Sequence, residues 1–241
     1  MTYDGLDERA LERLTAAPLV VCRSSLPSVL DLAHQLGERG APSGAAVLAD
    51  EQTAGRGRQG RTWHSPAGAG VWLAVLLRPA ATPLGGALAI RAGLATVDAV
   101  GEAAPETAPR LRWPNDLIVA GRKAGGILCE ARWSGDQLGW VAVGIGINVR
   151  GPVPLAVRDR AVALGDLADG VTRLSVVSAL VPRVAALASR PSALDEPERA
   201  RFAAACWPGA DGAAEPAGVD PDGALLVRGP GGELDRRVLA S

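Results

Sequence analysis

Lysine is almost missing from this chain. Among 241 residues, lysine and arginine together number 25, and Lys123 is the lone lysine. Alanine, glycine, arginine and proline are abundant, as in a GC-rich coding bias, and that bias accounts for the general loss of lysine. The two cations serve alike at most surface positions. They differ where a compact ammonium is needed, because a guanidinium is planar and permanently charged. Lys123, in Arg122-Lys123-Ala124-Gly125-Gly126-Ile127, is therefore either a leftover surface residue or a place where chemistry requires an amine.

The other scarcities also exclude. Three cysteines (Cys22, Cys129 and Cys206) form an odd, widely spaced set, which points to a reducing cytoplasm and away from a disulfide framework. With His34 and His64 as the two histidines, no Cys or His pair has metal-ligand spacing. No apolar run is long enough to span a bilayer; the longest, Val71 to Leu77, reads as a buried strand. The acidic N-terminus has no apolar core and does not read as a signal peptide. A net charge of -1 gives no global pull towards DNA or a membrane surface. Hydrophobic residues at 48% and charged residues at 21% describe a globular chain, long enough for one large domain, or one plus a small one.

Periodicity places the elements. Leu19 to Cys22 reads as a short strand, and Ser24 and Ser25 as caps for a helix starting near Pro27 or Ser28. Val29, Leu30, Ala33 and Leu36 lie on one face of that helix, and Gly37 and Gly40 close it. Strands are expected at Ala45–Ala49, Val71–Leu77, Leu111–Trp113, Leu117–Val119, Gly126–Ala131 and Trp140–Ile145. Leu84–Val100 has helical spacing, as does Val176–Ala188, where Pro182 either kinks the helix or moves its start. After about Arg190 prolines punctuate the chain, and Ala224–Val227 follows a turn at Pro221-Asp222-Gly223. The expectation is an α+β fold with a mixed sheet, residues 1–190 forming the main domain and 191–241 a small, shortened β-rich appendix.

Gly55-Arg56-Gly57-Arg58-Gln59-Gly60-Arg61-Thr62-Trp63 is the densest motif. Glycine lets backbone approach an anion, and arginine offers forked donors that fit a phosphate. The reading is an anion-binding lid that needs an anionic ligand to offset its own repulsion; the alternative is an Arg/Gly-rich linker or nonspecific nucleic-acid segment. Further on, Trp113-Pro114-Asn115-Asp116 reads as a turn between strands. If Lys123 begins the next strand of a hairpin, it converges with Asp116. An aspartate there can bind a divalent cation or orient an amine, and a lysine can neutralise charge on a transferring phosphoryl group. Gly144-Ile145-Gly146-Ile147-Asn148 ends a strand with small residues, suited either to a planar ligand or simply to a buried strand.

Together, Glu51 to Trp63, Trp113 to Asp116, Lys123 to Glu130 and Gly144 to Asn148 resemble the biotin protein ligases in order and spacing, over roughly residues 19 to 190. The resemblance implies a class II synthetase-like catalytic domain with a small C-terminal barrel-like unit, and a two-step reaction. Biotin is activated by ATP to biotinyl-AMP with loss of pyrophosphate, then passed to a lysine of a biotin carboxyl carrier domain. By position it implies catalytic roles for Lys123, Asp116 and Arg56. It implies a biotin site of Ser24, Ser25, Gln52, Arg56, Gly57, Arg58, Lys123 and Gly125. Arg58, Arg61, Trp63, Asn115 and Asn148 would hold the nucleotide, and Asp116 a magnesium ion.

The sequence departs from the family at Ser24-Ser25-Leu26-Pro27, where Ser-Thr-Asn is usual, at Arg112, where lysine is common, and in its short tail. These departures keep open a degenerate biotin-binding paralogue beside the ligase. A lipoate ligase or octanoyltransferase is the other alternative, disfavoured by the arginine loop and Trp-Pro-Asn-Asp. About 18 residues precede the first strand, too few for a winged helix-turn-helix, so the expected form has no DNA-binding domain. A cytoplasmic enzyme, monomer or homodimer, is expected.

Overall fold

The computed structural model describes residues 2–151, 153–208, 215–229 and 231–238. Its centre is a seven-stranded mixed sheet in the order β1-β2-β3-β7-β6-β5-β4. The strands are β1 (Val20–Leu26), β2 (Ala46–Gln52), β3 (Gly70–Leu77), β4 (Arg110–Arg112), β5 (Asp116–Val119), β6 (Arg122–Ser134) and β7 (Gln137–Asn148). β1 and β2 run parallel, joined through helix α2 (Val29–Glu38), and the remaining pairs are antiparallel. The remaining helices are α1 (Glu8–Thr15), α3 (Ala87–Ala103), α4 (Arg173–Ala185) and α5 (Glu196–Ala205). Strands β8 (Glu215–Val219), β9 (Leu225–Arg228) and β10 (Leu234–Arg237) make a second, three-stranded sheet. The α+β class is as the sequence indicates.

Strand alternation divides the sheet into two faces. Val71, Leu73, Val75 and Leu77 of β3 join Val141, Val143, Ile145 and Ile147 of β7 in a core closed by α3 and α4. Each such side chain contributes about 1.5–3 kcal/mol when fully buried. Trp72 and Ala74 of β3 and Ala142 of β7 point the other way, against Val29, Leu30 and Ala33 of α2. That second face carries the site.

The sheet's first edge is guarded. Glu12 and Glu8 of α1 accept from the backbone N–H groups of Val20 (3.1 Å) and Cys22 (2.8 Å), which occupies edge donors that would otherwise invite another strand. At the other end, Leu111 packs with Ala87, Ile90, Leu94, Phe202, Val219, Leu225 and Val227, so the tail shares a core with α3.

Three local expectations change. Ser24 and Ser25 belong to β1, which runs on to Leu26, and the α2 cap is Ser28, whose hydroxyl accepts from Leu30 N–H at 3.4 Å. The tail after Arg190 is not β throughout: α5 occupies Glu196–Ala205, capped by Asp195 and Glu198 in a reciprocal box. Its inward face holds little beyond Phe202 and Glu198, so its periodicity is faint. Helix α4 starts at Arg173, earlier than expected, and carries Pro182 inside it. The expected turn at Pro221-Asp222-Gly223 does join β8 to β9, while residues 209–214, 230 and 239–241 of the appendix lie outside the described residues. No helix among the described residues is long and apolar enough to cross a membrane.

Candidate functional site

The arginine-glycine segment folds as a hairpin over the second face of the sheet. Gln52 pairs with Ser65 and Arg56 with Thr62, while Trp63 N–H donates to Gly55 O at 2.8 Å and Gly57 N–H to Arg61 O at 2.7 Å. The tip is a 3₁₀ turn, Arg58–Gly60, where Gln59 and Gly60 have φ of 57° and 70°. At Gly55 a Cβ would lie 2.5 Å from the Trp63 carbonyl oxygen, so close strand approach fixes glycine there. Gln52 ties the root down: its Oε1 accepts from Val29 N–H at 2.9 Å and its Nε2 donates to Ser65 Oγ at 2.8 Å.

At the hairpin's root, the chain's own carboxylates offset the charge of Arg56. Arg56 forks onto Glu130 of β6, Nε to Oε1 at 2.9 Å and Nη2 to Oε2 at 3.0 Å. Its third nitrogen, Nη1, lies 2.7 Å from Asp31 Oδ1 of α2. Behind Glu130 stands His34, its Nε2 3.0 Å from Oε2, while its Nδ1 accepts from Trp140 Nε1–H at 3.1 Å. The acceptor role of Nδ1 fixes the proton on Nε2. Burial pushes the Glu130 carboxyl up, but hydrogen bonds from Arg56 and His34 outweigh it and hold the group below its ordinary value. Burial keeps the His34 value below the ordinary one despite Glu130. The sequence reading gave no role to Asp31, His34, Glu130 or Trp140. The signal was available: Asp31 and His34 are three apart on one helical face, and Glu130 shares its face of β6 with Gly126.

Lys123 and Asp116 converge as the hairpin reading requires. A two-residue turn, Ala120-Gly121, with φ of 48° and 74°, joins β5 to β6. Lys123 Nζ sits 2.6 Å from Asp116 Oδ1, and Arg112 Nη2 2.6 Å from Asp116 Oδ2. Lys123 Nζ is also 5.1 Å from the centre of the Trp63 ring. That indole rests on the sheet's glycine floor. A Cβ on Gly146 would lie 2.5 Å from Trp63 Nε1, and one on Gly126 3.5 Å from Cζ3. Trp63 Nε1 is buried and has no hydrogen-bond partner.

The remaining expected residues divide. Asn115 Nδ2 donates to Ile127 O at 2.8 Å and Asn148 Nδ2 to Val162 O at 3.2 Å, so both amides brace backbone at the rim. Gly125 is buried in β6, where a Cβ would meet Gly146 O at 2.8 Å. Arg58 is half-buried at the hairpin tip and Arg61 exposed beside it. Ser24 and Ser25 are exposed on β1, with Ser25 opposite Glu51, one strand away from Gln52. Trp113 Nε1 donates to Gly223 O at 3.0 Å, joining Trp-Pro-Asn-Asp to the tail's turn. Among the described residues no group of three His, Cys, Asp or Glu could hold a metal ion. Asp116, expected to hold magnesium, faces a cation with each oxygen, so these side chains do not make a metal site by themselves.

Two cavities lie elsewhere. One of about 390 Å³ is lined by Arg91, Asp98, Arg183, Glu198 and Arg201, and another of about 510 Å³ by Arg110, Ile118 and Trp207. The first has its arginines paired with Glu198, Glu102 and Asp98, and neither touches Lys123. The convergence of charge, glycine floor and arginine hairpin marks the site better than volume does.

A model of the biotin/lipoate A/B protein ligase family matches residues 23–148. A biotin--[acetyl-CoA-carboxylase] ligase of Paracoccus denitrificans is 38% identical over 216 residues, covering 79% of this chain and 87% of that protein. The chain belongs to the biotin/lipoate A/B protein ligase family. Within that family, the bifunctional ligase/repressor BirA of Bacillus subtilis is 39% identical over 160 residues, covering 63% of this chain. The match spans about half, 48%, of that longer relative. Among solved structures, the biotin protein ligase of Aquifex aeolicus in complex with biotin and ATP superposes with a TM-score of 0.75 at 25% identity, covering 91% of this chain and 95% of that one. The biotin/lipoate ligase fold is thus present, and a small three-stranded sheet accompanies it.

Proposed function

We propose that the chain is an ATP-dependent biotin protein ligase acting on a carrier-domain lysine. The observation that carries the reading is the Lys123–Asp116 pair, 2.6 Å apart beneath Trp63, with an arginine-bearing hairpin folded over the same face. In the first step a biotin carboxylate oxygen bonds to the α-phosphorus of ATP, and the bond to the bridging oxygen breaks, releasing pyrophosphate. Charge concentrates at the carboxyl–phosphate junction, and the Lys123 ammonium supplies a fixed positive charge there. Arg58 and Arg61, at the hairpin tip, are assigned to the phosphates. In the second step a carrier amine attacks the acyl carbon, AMP leaves, and the amine gives up a proton. Asp116, held from both sides by Arg112 and Lys123, is assigned to orient that amine.

Gln52, Ser24, Ser25 and Gly125 are assigned to the biotin end, and Trp63, Asn115 and Asn148 to the adenylate. Trp63 covers the floor such a planar group would share, so it must move aside or stack upon it. A magnesium ion would come with the substrate phosphates, since these ions keep few protein ligands; no step is routed through it. The mixed anhydride hydrolyses when wet, which gives the hairpin its use as a cover.

The test is direct. With biotin, MgATP and an apo carrier domain, mass spectrometry should find the carrier heavier by one biotin. Pyrophosphate release without carrier labelling would instead support a half-reaction enzyme. Binding of biotin with neither product would support the degenerate binder, and labelling with lipoate or octanoate but not biotin would move the chain to the other branch of its family.

A further inference from the structure

The hairpin carries Arg56, Arg58 and Arg61, and Arg56 stands at its root. All three arms of the Arg56 guanidinium are engaged by Glu130 and Asp31. Glu130 is itself backed by His34, and His34 by Trp140. The chain of contacts runs from the hairpin root through β6 and α2 to β7, and each link has one arrangement. His34 cannot accept from Trp140 and donate to Glu130 in any other tautomer, and the side chain is 5% exposed. Gly37, one turn on in α2, leaves room for the indole: a Cβ there would fall 2.6 Å from Trp140. Small residues and buried donors have thus been arranged so that one carboxylate meets one loop arginine in fork geometry.

We infer that Glu130, braced by His34 and Trp140, is a positioning residue that takes Arg56 out of the anion-binding set and uses it to hold the hairpin root over the glycine floor. The arginine nearest the root fixes the hairpin's angle, and those at its tip meet the substrate. A bidentate pair suits this task because two parallel bonds constrain rotation as well as distance. Neutralising one root charge also lowers the repulsion within a hairpin that must gather three cations. The inference rests on the ligase reading for what the tip contacts, but its structural half can be tested without that reading.

Glu130→Gln keeps the shape of the side chain and removes its charge. Two measurements follow: tryptic cleavage at Arg56-Gly57, mapped by mass spectrometry, and biotin-dependent pyrophosphate release over a range of ATP concentrations. Cleavage at Arg56-Gly57 is expected to rise about tenfold as local opening becomes easier, with other sites unchanged. The KM for ATP is expected to rise about tenfold while kcat stays within about twofold, since positioning of the tip is lost and the reacting groups remain. Glu130→Asp should recover part of both. Should Glu130→Gln fail to fold, His34→Phe serves, removing both the acceptor for Trp140 and the donor to Glu130, with about threefold changes in the same direction. Unchanged cleavage with unchanged KM overturns the inference and leaves the ligase reading intact. A fall in kcat at constant KM also overturns it, because Glu130 would then act on the reaction. If the native chain releases no biotin-dependent pyrophosphate, the ligase reading fails, and the cleavage pattern alone decides what Glu130 does.

Discussion

The two faces of β7 make opposite demands on one strand. Towards α3 and α4 it presents Val141, Val143, Ile145 and Ile147, all fully or nearly fully buried. Towards α2 and the hairpin it presents Trp140, Ala142, Gly144, Gly146 and Asn148, a series that falls to glycine where Leu30 and Trp63 pack on it. The first face secures the sheet by burial, and the second gives up burial to leave a floor. Period-two alternation lets one stretch of sequence do both, because a change on one face leaves the other nearly untouched. Energetic and functional effects should therefore separate by residue parity.

The largest effect expected is on the aliphatic face. Ile145→Ala should cost about 2–5 kcal/mol of stability, from lost transfer energy and a residual cavity. Urea unfolding would measure it, and the KM values of the folded protein should stay at their native level. A comparable rise in KM would break the separation. Next comes Lys123→Arg. An arginine preserves the charge but not the compact ammonium between Asp116 and the Trp63 ring, and biotinyl-AMP formation should fall about a hundredfold with little change in melting temperature. Retained adenylation would mean that the position needs only a cation. On the floor itself, Gly146→Ala should slow adenylation about tenfold, since the new methyl displaces the Trp63 indole and misaligns whatever stacks there. Its stability cost should be far below that of its neighbour Ile145, and the two variants side by side give the sharpest test of parity.

Much of this was readable beforehand, for definite reasons. Seven apolar residues in a row at Val71–Leu77 leave little but a strand buried on both faces, and the Lys123–Asp116 convergence followed from a hairpin whose turn has the positive φ values that Ala120-Gly121 adopts. What could not be read was which partner each polar group would choose. Arginine beside glycine suits Arg56 to a phosphate, but no local pattern shows that two carboxylates distant in sequence, Asp31 and Glu130, pair with it. Ser24 and Ser25 have the chemistry of caps, but β1 extends through them because their backbone pairs with β2 as far as Gln52. Helix α5 buries so few apolar side chains that its period is lost among charges. Each miss is a choice made by tertiary contact over local propensity.

The smallest expected effect reads the contacts of the second face through proton linkage. His34 faces Glu130 and Arg132 from β6, Arg56 from the hairpin and Trp140 from β7. Burial keeps its folded value below the ordinary 6.5 in spite of Glu130. The unfolded chain therefore binds a proton near 6.5 that the folded chain refuses until lower pH. The neutral imidazole's contribution is complete above that value and is lost as pH falls from it towards the depressed folded value. Glu130, also depressed, adds a loss of the same sign in a more acidic range, as pH falls through its own folded value. Urea midpoints at about pH 7.5 and about pH 5.5 should differ in the native chain, and the difference should shrink in His34→Gln, which has no group titrating there. An undiminished difference would assign the slope to other groups. A slope of opposite sign would mean that His34 carries its proton in the fold, and that Trp140 donates elsewhere.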